Sequence, residues 1–527
     1  MSKDPTWQEF SRNLLRYSDP DLWLDFSRMV IPEDYLEEHA GAIDRAGNEM
    51  RRIEAGEVIN TDEGRMVGHY WLRAPSLAPE ALEPVIMRNI AEVKAFASGV
   101  HQGEILTPAN KTFHHLLVIG IGGSALGPQL AIDALTGTDI PMSIHFFDNT
   151  DPDGIDRILA GLGGKLERTL TLVISKSGGT KETRNGMLEA KTAYQSAGLD
   201  FGGHAVAITA PGSKLDQVAG ENNWIGRFAM DDWVGGRTSI TSVVGLVPMA
   251  LAGIDIDGFI AGAAATDAKT RDSNIQENAS MMMAIAWHHA GNGKGSKAMV
   301  ILPYKDRLRL LSSYLQQLVM ESLGKELDRD SRQVHQGITV FGNKGSTDQH
   351  AYVQQLRDGP DNFFATFIEI RKTRSTESIE VEPGITTGDY LEGFLRGTRQ
   401  ALFASGRKSI TISIPHLDAY YLGCLVALYE RAVSFYAGLI NINAYHQPGV
   451  EAGKAAAGKF LEILRRVETQ LQSCPGQSVS AEEIALAISA DPEETFHALW
   501  HLAANRTAVT VKPGANPTGD RFTLVAE

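Results

Sequence analysis

From residue 114 onward the chain repeats a pattern that few folds can satisfy. Short apolar runs at 116–119, 144–147, 170–174 and 205–208 each lead into a loop of small and polar residues and then into a helical periodicity. A second series follows at 298–302, 338–341, 364–370 and 410–414. Continuous apolar runs of this length suit strands covered on both faces, and intervening helices impose parallel pairing. The pattern therefore predicts an α/β protein with two doubly wound α/β/α sandwich units, over 101–275 and 276–465.

The flanks read differently. Residues 1–100 carry apolar residues at three-to-four spacing in 21–29 and 81–96, with proline-bearing joints, which predicts a helical, polar N-terminal segment. After CPG at 474–476 come two helical stretches (481–489 and 493–504) and two short apolar ones (508–511 and 522–525) around a GANPTG turn. They predict a small appendage over 466–527, winged-helix-like in pattern. Its composition is not notably basic, so packing rather than DNA binding is expected of it. At 527 residues the chain has room for about three or four domain-sized units.

Charge and cysteine content exclude several functions. Lys plus Arg number 49 against 64 Asp plus Glu, a net −15 that argues against nucleic acid or an anionic membrane surface as main partner. A phosphate can still bind where positive groups and N–H donors gather locally. Two cysteines, Cys424 and Cys474, make no disulfide framework, and no Cys/His spacing resembles a metal site. The first ten residues, MSKDPTWQEF, lack the apolar stretch of a leader, and no apolar run reaches the ~18 residues of a membrane span. A cytoplasmic location is expected.

Two loops carry the functional signal. HLLVIGIGGSALGPQ at 115–129 places Gly120, Gly122, Gly123 and Ser124 between a strand and a helix, where backbone N–H groups and the helix N-terminus favour an anion. Alone this loop leaves two readings open, because Gly120-x-Gly122-x-x-Ala125 also fits a relaxed dinucleotide fingerprint and hence a nucleotide-dependent oxidoreductase. TLVISKSGGTKET at 171–183 again follows a strand and gathers Ser175, Lys176, Ser177 and Thr180. Hydroxyls and amides on a turn entering a helix suit a single phosphate monoester, and a dinucleotide fold does not call for them.

A Gly-Gly-Ser loop followed by a Ser-Lys-Ser loop resembles the sugar isomerase (SIS) domain, a flavodoxin-like sandwich that binds sugar phosphates. Two such units in a chain of this length resemble the glucose-6-phosphate isomerase family. The resemblance runs from INTDEGRMVGHYWLR at 59–73 to about residue 460, and leaves the tail after 475 unexplained. It implies an aldose–ketose isomerase without metal or organic cofactor, acting through an enediolate.

The remaining site residues follow from that resemblance. In DRLRLLSSYLQQLVMESLGKEL, from residue 306, Gln317 and Glu321 are i,i+4 neighbours, and Gly324 as C-cap would put Glu321 in the last turn, where the helix dipole disfavours a carboxylate. MESLGK is similar to the family motif whose glutamate moves the proton between C1 and C2, with Leu323 where asparagine is common. DWVGGRTS at 232–239 is similar to the family's Gly-Gly-Arg turn, although Thr238 replaces an aromatic residue. Arg237 would stabilise the enediolate. GSTDQHAYVQQL at 345–356 resembles the family's Gln-His segment and gives His350 a ring-opening role that nothing else singles out among 15 histidines. YHQPGVEAGK at 445–454 resembles the C-terminal signature through Gln447, Gly449, Val450, Glu451 and Lys454, making Lys454 the second ring-opening group. Gly123, Ser124, Ser175, Lys176, Ser177, Thr180, Gln317 and Gln447 would bind the substrate and its phosphate. The resemblance also implies a homodimer in which His350 serves the partner's site. A non-catalytic sugar-phosphate-binding protein on the same domains is the alternative; it would have no reason to hold Glu321, Arg237 and Lys454 together.

Overall fold

The structure, a computed structural model, describes residues 4–137 and 139–525, without the side chains of residues 450–452. Val450 and Glu451 of the C-terminal motif thus fall, as side chains, outside the described residues. The chain divides into two compact units, Met1–His446 and Gln447–Glu527.

The first unit is built on two sheets. One has five parallel strands in the order Ser143–Phe147, His115–Ile119, Thr169–Ile174, Ala205–Thr209, Gly226–Ala229. In chain order this is 2-1-3-4-5, the doubly wound arrangement whose ligand crevice lies where the winding reverses, between first and third strands. The other sheet repeats the start of that order. Ser409–Ile414, Phe363–Ile370, Ala298–Pro303 and Val340–Phe341 lie side by side and parallel. Every residue of Thr169–Ile174 and Phe363–Ile370 is buried, as central strands covered on both faces require.

The second sheet is extended by a hairpin that the sequence pattern does not predict. Residues 21–29, expected as helix, instead form the strand Asp21–Asp25, which pairs antiparallel with Leu14–Ser18 and with Ser409–Ile414. The reason is periodicity over a short span: Leu22 and Leu24 are fully buried and Trp23 is not, a period of two that three-to-four spacing cannot be told from over five residues.

A single helix, Ala419–Leu439, fills the middle of this unit, packed against Ala40–Glu54, Ile256–Lys269 and Ala279–Ala290. It is long and apolar enough to cross a membrane, yet its most apolar window is wholly buried within the protein. It also carries Glu430 and Arg431, both buried. Arg73 pairs with Asp267 at 2.8 Å and with Glu430; Arg431 pairs with Asp267 at 2.8 Å and with Glu54; Arg271 reaches Glu54 at 2.8 Å. The side chains of Arg73, Asp267, Glu430 and Arg431 are fully enclosed.

The second unit holds the helix Pro448–Ser473, the helices Ala481–Ile488 and Pro492–Asn505, and the hairpin Val509–Lys512 with Arg521–Leu524. Val467, Leu471, Ile484, Leu499, Leu502 and Phe522 form its core. Ser480 and Glu483 cap the middle helix reciprocally.

Burial works against the charge of Asp267, but Arg431 and Arg73 overcome it and hold the carboxyl down at about 2, below its usual 3.8. A depressed acid stabilises the fold above its unfolded value, and that contribution fades as pH falls toward the folded one. Asp267→Asn should therefore cost about 3–5 kcal/mol at neutral pH, because two guanidiniums lose their shared partner. The gap between variant and wild type should narrow below about pH 4. Denaturant titrations at both pH values measure this, and equal stability at neutral pH would contradict it.

Candidate active site

The two loops picked out in the sequence leave the carboxyl ends of adjacent strands, His115–Ile119 and Thr169–Ile174, at the point where the first sheet's winding reverses. In the first loop Gly122 takes φ +58°, a left-handed conformation glycine adopts without strain, and a Cβ there would lie 3.0 Å from the Gln317 amide nitrogen. A Cβ on Gly123 would fall 2.0 Å from the Gly236 carbonyl oxygen. Ser239 Oγ also donates to the Gly123 carbonyl at 3.3 Å. Both glycines thus admit protein neighbours, which is a use of the motif that no dinucleotide requires. Ser124, half-buried, closes the turn before the helix Leu126–Leu135.

In the second loop Ser175 is buried and anchored. Its N–H donates to the Ile208 carbonyl at 3.0 Å, and Thr209 Oγ1 donates to its carbonyl at 2.6 Å. Ser175 Oγ donates to Thr180 Oγ1 at 3.3 Å, and the Gly179 N–H donates to Ser177 Oγ at 3.1 Å. Thr180 begins the 16-residue helix Lys181–Ser196, so three hydroxyls gather at a helix N-terminus. Lys176 turns elsewhere. Its ammonium donates to the Asp232 and Val234 carbonyls at 2.8 and 3.0 Å and lies 3.4 Å from the Asp232 carboxylate. It straps the hydroxyl loop to the Gly-Gly-Arg loop.

Glu321 does not sit on the regular helix that its i,i+4 spacing predicts. The stretch breaks into a short turn at Asp306–Leu308, an α-helix at Leu311–Leu315 and a π-helical turn at Gln316–Glu321. Nothing in the apolar periodicity announces the change; such π turns are frequent at functional sites. Arg237, only 8% exposed, lies against this turn. Its Nε is 3.5 Å from Glu321 Oε2 and its Nη1 donates to Ser322 Oγ at 3.4 Å. Its Nη1 and Nη2 reach the Ala444 and His446 carbonyls at 3.4 Å each. Burial opposes the arginine's charge and the Glu321 carboxylate supports it.

Arg237, Ser322 and Lys176 line one cleft of about 520 Å³, together with Asn60, Glu63 and Arg65. The last three come from the 59–73 segment, from which the sequence reading drew no site residue. The charged TDEGR run ahead of a buried HYWLR stretch is the signal that could have found them. Arg65 pairs with Asp232 at 3.3 Å, and Asn443 Nδ2 donates to Asn60 Oδ1 at 3.0 Å, which ties this segment to the carbonyls that hold Arg237. Ser175 and Thr180 line a separate hollow of about 580 Å³ with Thr183, Arg184 and Lys214. His350, itself exposed, ends the turn Thr347–His350 and lines neither hollow. Gln447 and Lys454 belong to the second compact unit, at the start of the helix Pro448–Ser473, and both are exposed in it.

Two flavodoxin-like sheets, a hydroxyl-rich loop at the switch point and a buried arginine facing a carboxylate define a protein of the sugar-isomerase class. The model of one family, phosphoglucose isomerase, matches residues 25–383 and 361–473. A glucose-6-phosphate isomerase of Citrifermentans bemidjiense is 57% identical over 96% of each chain, and one of Geobacter sulfurreducens 55% identical over 99% of each. The crystal structure of a glucose-6-phosphate isomerase from Chlamydia trachomatis superposes with a TM-score of 0.79 at 26% identity, covering 88% of this chain and 92% of that one. The chain belongs to the phosphoglucose isomerase family. The small C-terminal part lies beyond the family model yet within the alignment to the Geobacter sulfurreducens relative.

The contact between loops is testable apart from chemistry. Gly123→Ala should push the Gly236 carbonyl away and cost about 1–3 kcal/mol, the usual penalty of an added methyl group in a packed site. Calorimetry reads this as a lower melting temperature. An unchanged melting temperature would mean that the two loops do not touch.

Proposed function

We propose that this chain interconverts glucose 6-phosphate and fructose 6-phosphate, as a glucose-6-phosphate isomerase like its relatives would. The observation that carries the chemistry is Glu321 on its π turn, 3.5 Å from a buried arginine. Aldose–ketose isomerisation needs a base that takes the proton from C2 of the aldose and returns it to C1, while the hydroxyl proton on O2 is exchanged for one on O1. Glu321 is that base. Arg237, already held in place by three oxygen acceptors, meets the negative charge that develops on the enediolate oxygens without reorganising.

The other roles complete the proposal. Ser175, Ser177 and Thr180 at the helix N-terminus anchor the phosphate, with Gly123, Ser124, Lys176, Gln317 and Gln447 as further substrate contacts. His350 and Lys454 open the sugar ring. The four-part division at 1–100, 101–275, 276–465 and 466–527 belongs to the same reading, one parallel sheet supplying each sandwich unit. We assign the protein to the cytoplasm, in glycolysis and gluconeogenesis.

A coupled assay on purified protein tests the reaction, and Glu321→Gln tests its base. The variant should lose at least ~100- to 10,000-fold in turnover while still binding sugar phosphate, since only the proton acceptor is removed. Turnover within a few-fold of wild type would mean another group is the base.

We also propose a homodimer with shared active sites, His350 acting in the partner's. The exposure of His350, on a turn that does not line the Arg237 cleft, supports this. Glu321→Gln subunits mixed with His350→Ala subunits give hybrid dimers in which one site carries both defects and the other neither. With half the dimers hybrid, activity should recover to roughly one quarter of wild type. Hybrids confirmed by mass but inactive would place His350 in its own chain's site.

A further inference from the structure

Lys325 is 4% exposed, and among the described residues no carboxylate comes within 4 Å of its ammonium. A buried ammonium without a counter-ion is expensive and is retained only where its N–H groups are well used. Here they are. The π turn ends with carbonyls that its own ladder leaves open. The Gly324 N–H meets the Met320 carbonyl at 2.8 Å, and Lys325 Nζ donates to the next two, Glu321 at 2.8 Å and Ser322 at 2.9 Å. The turn is thus gripped from two directions. Arg237 lies 3.5 Å from the Glu321 carboxylate and donates to the Ser322 hydroxyl, and Lys325 donates to the carbonyls of the same two residues.

We propose that Lys325 is a positioning residue for the isomerisation: its ammonium closes the carbonyl end of the π turn and so fixes the direction in which Glu321 presents its carboxylate. The inference rests on Glu321 being the base. Burial, with Arg237 nearby, pulls the Lys325 pKa down to about 7, while Glu321 and Asp62 support its charge. A lysine in that condition is held by its contacts rather than by solvent. Its ammonium is spent on the backbone carbonyls of Glu321 and Ser322, so it works through Glu321 and not on the substrate.

Lys325→Met removes the donors and the charge while keeping the apolar stem. A base displaced by a fraction of an ångström should lose about 10- to 100-fold in kcat. KM for fructose 6-phosphate should stay within about threefold, because the phosphate contacts are untouched. The affinity of a hydroxamate that mimics the enediolate should fall in step with kcat/KM, whereas affinity for the sugar phosphate itself should not, since only transition-state complementarity is lost. Lys325→Arg, which keeps charge and donors, should restore part of kcat. If Lys325→Met does not fold, Lys325→Gln carries the same measurements with the same expectation. A folded variant with wild-type kcat, or one that loses sugar-phosphate affinity as much as it loses kcat, overturns the proposal. Wild-type protein inactive on fructose 6-phosphate would instead count against the functional reading, so the two failures are distinguishable.

Discussion

The carboxylate of Asp267, shared between Arg73 and Arg431, is the point on which the first unit turns. Through it the 59–73 segment, the helix Ile256–Lys269 and the central helix Ala419–Leu439 are locked together by fully enclosed side chains. Charges so placed cost much to desolvate, and each is tolerated only because every partner is present. Apolar packing alone would allow the central helix to slide or rotate, since almost every face of it is equally greasy. Glu430 and Arg431 give it one register, and that register fixes the segment that contributes Asn60, Glu63 and Arg65 to the cleft.

A second constraint is topological. Both sheets begin with the same strand order, so each presents loops at the carboxyl ends of adjacent parallel strands. The first sheet supplies the two glycine and hydroxyl loops, while the helical stretch after Ala298–Pro303 in the second supplies Gln317 and Glu321. Gly122 brings the two together by letting Gln317 come close, while Gly123 admits the Gly236 carbonyl from the loop after the first sheet's last strand. The site is assembled by close backbone approach rather than by long side chains reaching across a gap.

That division explains what the sequence reveals. The eight strand runs are legible to within two residues, because parallel strands covered by helices read as near-continuous apolar runs. The loops are legible because glycines that admit a close neighbour and hydroxyls at a helix N-terminus stand out by residue type. The hairpin strand Asp21–Asp25 is not, since five residues cannot separate two periodicities and its pairing partner lies almost 400 residues away. The π turn is invisible for a different reason: no residue type prefers it, and the packing that imposes it is tertiary. His350 and Lys454 are legible only through resemblance, as nothing local distinguishes an exposed histidine or lysine from its neighbours.

The π turn also bears on how the base proposed here, Glu321, could act beside an arginine. An ion pair drawn close would hold the proton acceptor in check and block its approach to carbon. At 3.5 Å, Nε and Oε2 are too far apart for a strong charge-assisted bond, and among the described residues nothing donates a hydrogen bond to the buried Glu321 Oε2. The guanidinium's other nitrogens are instead engaged by Ser322, Ala444 and His446. Arg237 therefore lends Glu321 its field without capturing it. On the role proposed for Lys325, that separation is kept from the backbone, through the carbonyls of Glu321 and Ser322. A regular α-helix would place residue 321 at another angle around the axis, and that balance between attraction and availability would be lost.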